Sequence, residues 1–188
     1  MSKWFKALGV AVFCLAVAGT VYAAAGSDTL DVTVLIRYLA VEVDDTDDPY
    51  DFGIVDTGTE NVATSSVTVT NDGNASEDFL LQITTSPANL TVEESAASPD
   101  DADEYQLYAL FDSDGGLVAG DFGADDLILE SAQRDGDSFF QSANADQDAD
   151  DVAASTSIEL WLKFYAPPSI SAAHPQQTIQ ITFTAQAA

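Results

Sequence analysis

The sequence predicts an all-β fold, an antiparallel β-sandwich of about eight or nine short strands. Short segments place apolar residues at every second position, as in residues 157–165, and this period is typical of strands with one buried face. Clusters of Gly, Asp, Asn, Ser and Pro separate these segments and predict turns. No segment after residue 23 repeats apolar residues at helical spacing, so we expect no long amphipathic helix.

The first residues predict an N-terminal signal peptide. Lys3 and Lys6 precede an uncharged apolar run over residues 7–18, and small residues fit cleavage after Ala23 (Val21 and Ala23) or after Ala25 (Ala23 and Ala25). The run is shorter than the roughly 20 residues of a membrane span, although an uncleaved anchor remains the alternative. We therefore expect residues 1–23 to be a signal peptide, residues 28–188 to form a single β-sandwich domain, and the chain to be secreted or at the cell surface.

The charge and cysteine content exclude several classes of partner and chemistry. The 32 acidic residues all follow residue 23, where the basic residues are Arg37, Arg134 and Lys163. Such a negative field repels phosphates and anionic membranes, so we predict no nucleic-acid partner and no membrane span after cleavage. Cys14, the one cysteine, lies inside the signal peptide, so the mature chain has neither disulfides nor thiol chemistry.

In the first half of the domain, alternating or β-branched runs predict four strands. Residues 29–43 are the longest of these runs, and a short strand is predicted at residues 52–55. Residues 62–70 and 79–85 flank the turn-forming sequence of residues 71–74, which predicts a β-hairpin. The first run either pairs inside its own domain or, left unpaired at an edge, adds to another copy and forms fibres.

The second half predicts further strands at residues 105–111, 127–129, 157–165 and 178–184. Residues 139–140 are read either as a short strand or as an aromatic anchor in a loop. The number and spacing of the strands favour an immunoglobulin-like architecture. In residues 157–165 the aromatic pair Trp161 and Tyr165 shares one strand face, which is either exposed for ligand stacking or buried beneath a loop.

A family resemblance adds to this pattern. It rests on three stretches: FGIVDTG at residues 52–58, SSVTVTNDGNASEDFLLQI at residues 65–83 and TIQITFTAQ at residues 178–186. Together with the signal peptide, they resemble secreted immunoglobulin-like proteins of the camelysin and TasA-like type, which form matrix fibres. The matched positions are turn and core residues, so the resemblance implies the fold and a structural role and carries over no catalytic residue.

The sequence contains no recognisable catalytic apparatus. His174 is the one histidine, in a proline-containing loop, and G-x-S-x-G is absent, so a serine triad has no support. One histidine without a mature thiol cannot form the usual zinc site. Carboxylate pairs are too numerous to indicate glycoside hydrolysis. We therefore predict that the protein is not an enzyme.

The acidic loops offer oxygen ligands for calcium. Asp112 and Asp114 begin a segment that resembles a calcium loop, with glycine after them, but position 5 is Gly116 and position 12 is Gly123. The candidate ligands are Asp112, Asp114, Asp121, Asp125 and Asp126. Further carboxylates cluster in residues 44–51 and at Asp146, Asp148 and Asp150. The alternative is that all these loops are solvated surfaces adapted to salt. Calcium is the one cofactor that the sequence suggests.

These observations favour a non-enzymatic secreted or cell-surface structural protein, a matrix or fibre subunit that associates with itself or with a surface partner. The alternative function is a calcium-dependent adhesion or carbohydrate-binding module, in which the acidic loops and an exposed aromatic pair would be the binding residues.

Overall fold

A computed structural model describes residues 29–95, 97–141, 147–172 and 176–188. The predicted signal peptide, His174 and Asp146 lie outside these ranges. Chain contacts divide the protein into two units, Met1–Leu35 and Ile36–Ala188. The described part of the first unit, residues 29–35, is exposed and has no regular secondary structure.

The second unit is built almost entirely from β-strands, which confirms the all-β prediction. The described residues form nine strands: β1 Val41–Val43, β2 Glu60–Val62, β3 Val67–Asn71, β4 Glu77–Thr85, β5 Thr91–Val92, β6 Glu104–Phe111, β7 Arg134–Asp135, β8 Ser157–Tyr165 and β9 Gln180–Ala187. Two short 3-10 turns, Ala119–Asp121 and Ala124–Asp126, lie between β6 and β7. In the described ranges no helix is long and apolar enough to cross a membrane.

Six strands form one sheet around β8. The order is β1-β3-β8-β6-β5, and β2 pairs with β8 beside β3. Strand β6 runs antiparallel to β8 from Gln106 opposite Tyr165 to Phe111 opposite Leu160. One pair, β5 with β6, is parallel, so the sheet is mixed rather than purely antiparallel.

Three strands form the second sheet, in the order β7-β4-β9. Strand β4 pairs antiparallel with β9 along its length, from Glu77 opposite Ala187 to Thr85 opposite Gln180, with an irregularity between Ile83 and Thr85. Alternate β4 residues are buried, because one face of the strand turns toward the core and the other does not.

The two sheets share one hydrophobic core. Phe79, Leu81 and Ile83 of β4 are fully buried in the same cluster as Val69 of β3 and Leu160 of β8. Burying side chains of this size contributes roughly 1.5–3 kcal/mol each, which is the main stabilisation available to a domain without disulfides.

A second, smaller cluster lies on the opposite face of the six-stranded sheet. It combines Tyr108 and Leu110 of β6 with Phe122 and Leu127 from the loop after β6. Trp161 packs against this cluster and its Nε1 donates to the carbonyl of Asp112 at 2.9 Å. The aromatic face of β8 is therefore covered by a loop, and Trp161 and Tyr165 are half-buried rather than an open stacking platform.

The predicted hairpin around residues 71–74 is wrong. Strands β3 and β4 do follow one another across this turn, but β3 pairs with β1 and β8 while β4 pairs with β7 and β9. The turn therefore carries the chain from one sheet to the other. Turn residues specify a local reversal of direction, whereas the choice of strand partner depends on tertiary packing.

Several predicted strands are shorter than expected. In residues 29–43 the strand covers only Val41–Val43, residues 52–55 are a loop, and residues 62–70 are divided between β2 and β3. Leu127 makes an isolated bridge to Tyr108 instead of a strand. Phe140 is the aromatic anchor of a loop, fully buried, with its carbonyl accepting the Phe111 amide at 3.1 Å.

Candidate functional site

An apolar groove of about 930 Å³ opens on the second unit. Val67, Leu107, Leu160 and Leu162 belong to both the core and the groove, so its floor is the inner face of the six-stranded sheet. The other apolar lining residues come from β1 and the loop after it, from β8 and the chain that follows it, and from β9; among them are Val43, Tyr50, Phe52, Ile54, Phe164, Ile170, Ile179, Ile181 and Phe183.

The loop after β1 is held in place by aromatic packing. The rings of Tyr50 and Phe52 meet edge to face with centroids 5.0 Å apart, and Phe52 contacts the ring of Phe164 at 5.8 Å. The Tyr50 hydroxyl also accepts the backbone N–H of Thr64 at 2.8 Å. Ile54, at the rim of the groove, is 99% exposed. The groove therefore has a fixed wall and an apolar residue without cover.

Strand β9 presents an edge beside this groove. It pairs with β4 on one side, and within the described ranges no strand pairs with its other side. Its eight residues, QITFTAQA, contain neither charge nor proline, the features by which proteins normally block strand addition. Ile181 and Phe183 of β9 line the groove and are only partly buried. An incoming strand would find backbone hydrogen-bonding groups and apolar contacts together.

Residues 30–38, hereafter the apolar segment, expose a row of large side chains. Leu30, Val32, Val34, Ile36 and Tyr38 occupy every second position and are between 58% and 87% exposed. Leu35, outside this alternation, is also exposed. Such an alternating row is typical of a strand with one buried face, yet these residues form no strand.

Two polar side chains hold the end of the apolar segment on the second unit. The Asn74 amide donates to the Ile36 carbonyl at 2.9 Å, and its oxygen accepts the Tyr38 N–H at 2.8 Å. Glu77, fully buried, accepts the Ala40 N–H through Oε1 at 2.8 Å. Ile36, Tyr38 and Ala40, at the start of the second unit, are therefore bound to residues that follow β3.

The predicted calcium ligands lie along one loop, and three of the five accept hydrogen bonds from the backbone of that loop. Asp112 is buried and accepts the N–H of Asp114 at 2.8 Å. Asp121 accepts the Val118 N–H at 2.7 Å, and buried Asp126 accepts the Gly123 N–H at 2.6 Å. Asp114 and Asp125 are exposed. These carboxylates stabilise the turns of the loop in the way that Asp commonly does.

A different group of carboxylates in the described part of the chain lies close enough together to hold a cation. It consists of Asp100, Asp101 and Glu104, whose oxygens come within 4.8 Å of one another. None of the five predicted ligands belongs to it. Asp100 and Asp101 are exposed and Glu104 is half-buried, and exposed acidic groups are common without an ion. Specific calcium binding by Asp112, Asp114, Asp121, Asp125 and Asp126 stays a prediction.

The loop that contains these residues is fixed by the two basic side chains it covers. Lys163 is 3% exposed; its Nζ lies 3.2 Å from Glu60 Oε1 and 4.0 Å from the centroid of the Tyr108 ring. Arg134 donates to the carbonyls of Ala124 and Leu127 at 3.2 and 2.9 Å. Both cations therefore serve the internal structure of the second unit.

We expect Asp126→Asn to change how stability depends on pH. Burial raises the pKa of Asp126 from 3.8 to about 6 in the folded protein. Folding therefore favours the protonated acid. Burial of the ionised carboxylate lowers the free energy of unfolding, and this loss is absent below pH 4 and complete above pH 6. Asparagine, which keeps the acceptor for Gly123, should raise the free energy of unfolding at pH 7.5 by about 2 kcal/mol and leave it unchanged at pH 3.5.

Urea unfolding at pH 3.5, 5 and 7.5 measures this difference. Asp125→Asn, which removes the same charge from the exposed neighbouring residue, is the matched control and should change little. Equal effects of the two substitutions at pH 7.5 would contradict the prediction, because they would reflect net charge alone.

Comparison with models of known protein families gave no match to this chain, and comparison with characterised proteins gave no significant match. The resemblance to secreted matrix-fibre proteins therefore rests on the sequence stretches described above and stays a prediction. The groove was not predicted from the sequence, because its lining comes from segments far apart along the chain. The one local signal was the unusual length of the alternating run that begins at residue 29.

Proposed function

We propose that this chain is a non-enzymatic structural subunit, secreted or at the cell surface, whose immunoglobulin-like β-sandwich assembles into fibres or matrix. The apolar segment of one copy adds to the edge of β9 in the next copy and covers its groove. The observation that carries this proposal is the presence, in one chain, of an exposed alternating segment and an apolar groove beside an unpaired strand edge.

The dimensions of the two parts agree. The first eight residues of the apolar segment, 30–37, would extend over about 26 Å at the usual strand rise of about 3.3 Å per residue. Strand β9 also contains eight residues. Edge addition forms backbone hydrogen bonds along the shared length, and alternate side chains enter the groove. Leu30, Val32, Val34 and Ile36 would share the strand face that turns toward the core side, and those opposite the first part of β9 would enter the groove, which extends along β9 only as far as Phe183.

The energetics favour docking of this segment over continued exposure. Burying one side chain of this size contributes roughly 1.5–3 kcal/mol. Ordering the segment and joining two molecules offset part of this gain. Repulsion between copies also opposes association, since the net charge of the chain is −27. Assembly should therefore require screening by salt, which shortens the range of that repulsion.

The symmetry of this contact favours extended assemblies. The donating surface and the accepting surface lie on different parts of the chain, so each copy can donate to one neighbour and accept from another. Such a head-to-tail contact produces filaments unless its rotation closes into a ring.

A single charge placed on the docked face should abolish assembly. We expect Val34→Asp to remove filaments of the full chain in 1 M NaCl, because docking would bury an unpaired carboxylate in an apolar groove. Leu35→Asp is the matched control: it makes the same charge change one residue away, on the strand face turned away from the groove floor, where 1 M NaCl screens the new charge, and it should assemble like wild type. Negative-stain electron microscopy and sedimentation velocity measure the outcome.

Two results would contradict the proposal. Equal behaviour of Val34→Asp and Leu35→Asp would show that the apolar face is not the contact. A stable monomer whose melting temperature falls only in Val34→Asp would show that the segment occupies the groove of its own chain.

A further inference from the structure

Arg37 differs from the other basic residues of the mature chain. Lys163 is buried beside Glu60, and Arg134 is bound to loop carbonyls and lies over the Phe139 ring at 4.6 Å. Arg37 is exposed and belongs to the apolar segment. The chain has 32 acidic residues and only three basic ones after residue 23. One of these three, Arg37, lies on the segment that is proposed to dock.

The accepting groove has an acidic rim. Asp47, Asp48 and Asp51, hereafter the acidic rim, are among its lining residues, and all three belong to the loop after β1. Asp48 and Asp51 are exposed. Asp47 Oδ2 accepts the Thr68 N–H at 3.0 Å and Asp51 Oδ1 accepts the Gly53 N–H at 2.7 Å, which fixes the positions of both carboxylates.

The acidic rim and the first part of β9 line the same groove. The groove includes the chain leading into β9 and reaches along the strand only as far as Phe183. A segment that docks antiparallel to β9 brings its carboxyl-terminal end, which carries Arg37, to this part of the groove. A parallel segment would bring Asp31 there instead, against carboxylates of the same sign. The charges therefore favour the antiparallel direction, which β4 also has relative to β9.

On the basis of the proposed function, we infer that Arg37 of the donating copy binds the acidic rim of the accepting copy and thereby selects a second copy of this chain as the occupant of the groove. The apolar contacts supply most of the affinity, and the charge pair sets the direction and the partner. Arg37 is then a specificity-determining residue: it leaves the fold of its own subunit unchanged and acts only in the contact between subunits.

Charge reversal and its restoration test this pairing in the full chain. We expect Arg37→Glu to weaken assembly about tenfold at 0.15 M NaCl, as judged by the critical concentration from sedimentation, and to have a smaller effect at 1 M NaCl, where screening is strong. Arg37→Lys should assemble like wild type. Adding Asp48→Arg to Arg37→Glu should restore assembly, and Asp51→Arg serves as a second restoring variant.

The matched control for added negative charge uses Arg37→Gln and Thr33→Glu, which both lower the net charge by one and lie on the same face of the segment. The inference requires that Arg37→Gln weaken assembly more than Thr33→Glu. Equal effects, or failure of both restoring variants, would overturn the pairing while the contrast between Val34→Asp and Leu35→Asp still supported the proposed function. If Val34→Asp and Leu35→Asp behaved alike, both the pairing of Arg37 and the proposed function would be contradicted. Circular dichroism confirms that each variant is folded.

Discussion

Asn71→Asp is expected to lower the free energy of unfolding by about 3–5 kcal/mol. Asn71 is fully buried at the end of β3, and all its polar atoms are paired. Its Nδ2 donates to the carbonyls of Ala75 and Val152 at 2.8 and 2.7 Å, and its Oδ1 accepts the Gly73 N–H at 2.8 Å. Aspartate has the same shape, but it would place a carboxylate oxygen against two carbonyl oxygens in a site without water access.

Urea unfolding at pH 7.5 and pH 4 measures this effect and its cause. Asn71→Ala, which removes the hydrogen bonds without adding a charge, should cost less than Asn71→Asp at pH 7.5. Lowering the pH should recover part of the loss in Asn71→Asp alone, because the protonated acid donates one hydrogen bond again. If both variants lost the same free energy at both pH values, the carboxylate would not be the cause.

Gly136→Ala should be the second most damaging change, with a loss of about 3 kcal/mol. A Cβ at Gly136 would lie 2.3 Å from the Cβ of Ala149 and 2.6 Å from its carbonyl carbon. Both residues are tied to Phe79 of β4: the Gly136 N–H donates to the Phe79 carbonyl, and the Phe79 N–H donates to the Ala149 carbonyl. The new methyl group would therefore have to displace backbone on both sides of a buried strand.

Gly120→Ala provides the control for this prediction. Gly120 has no atom within 4 Å of the added Cβ, and neither glycine has a left-handed backbone conformation. The two substitutions make the same chemical change, so a difference in melting temperature measures crowding alone. We expect Gly120→Ala to change the stability by less than about 0.5 kcal/mol. Similar melting temperatures for the two variants would mean that the chain at Ala149 yields easily.

The sequence predicted the strands whose alternation is complete and whose ends carry turn residues. Strand β8 begins and ends where the pattern of residues 157–165 does, and β6 lies within one residue of its predicted start. In both cases the core face is apolar at every second position, so the local pattern and the tertiary packing agree. Boundaries were wrong where the pattern continued without a partner strand, as in residues 29–40.

The residue patterns of single strands and turns did not predict which strands pair with one another. The turn around Asn71 has the residues of a hairpin, yet it connects two sheets because β1 and β8 already occupy both edges of β3. The groove was missed for the same reason: Leu160 and Ile181 are 21 residues apart and in different sheets. The aspartates of the loop after β6 were recognised as oxygen donors, but their bonds to backbone N–H groups depend on how that loop folds.

The unequal exposure of the three basic residues also determines where trypsin can cleave the folded chain. Trypsin cleaves after lysine and arginine. Beyond residue 23 its cleavage sites are Arg37, Arg134 and Lys163. Burial of Lys163 protects one site, and the hydrogen bonds of Arg134 hold the second inside its loop. Brief digestion of the native protein should thus cut after Arg37 and yield residues 38–188, a subunit that retains its groove and has lost the part of the apolar segment that it would donate.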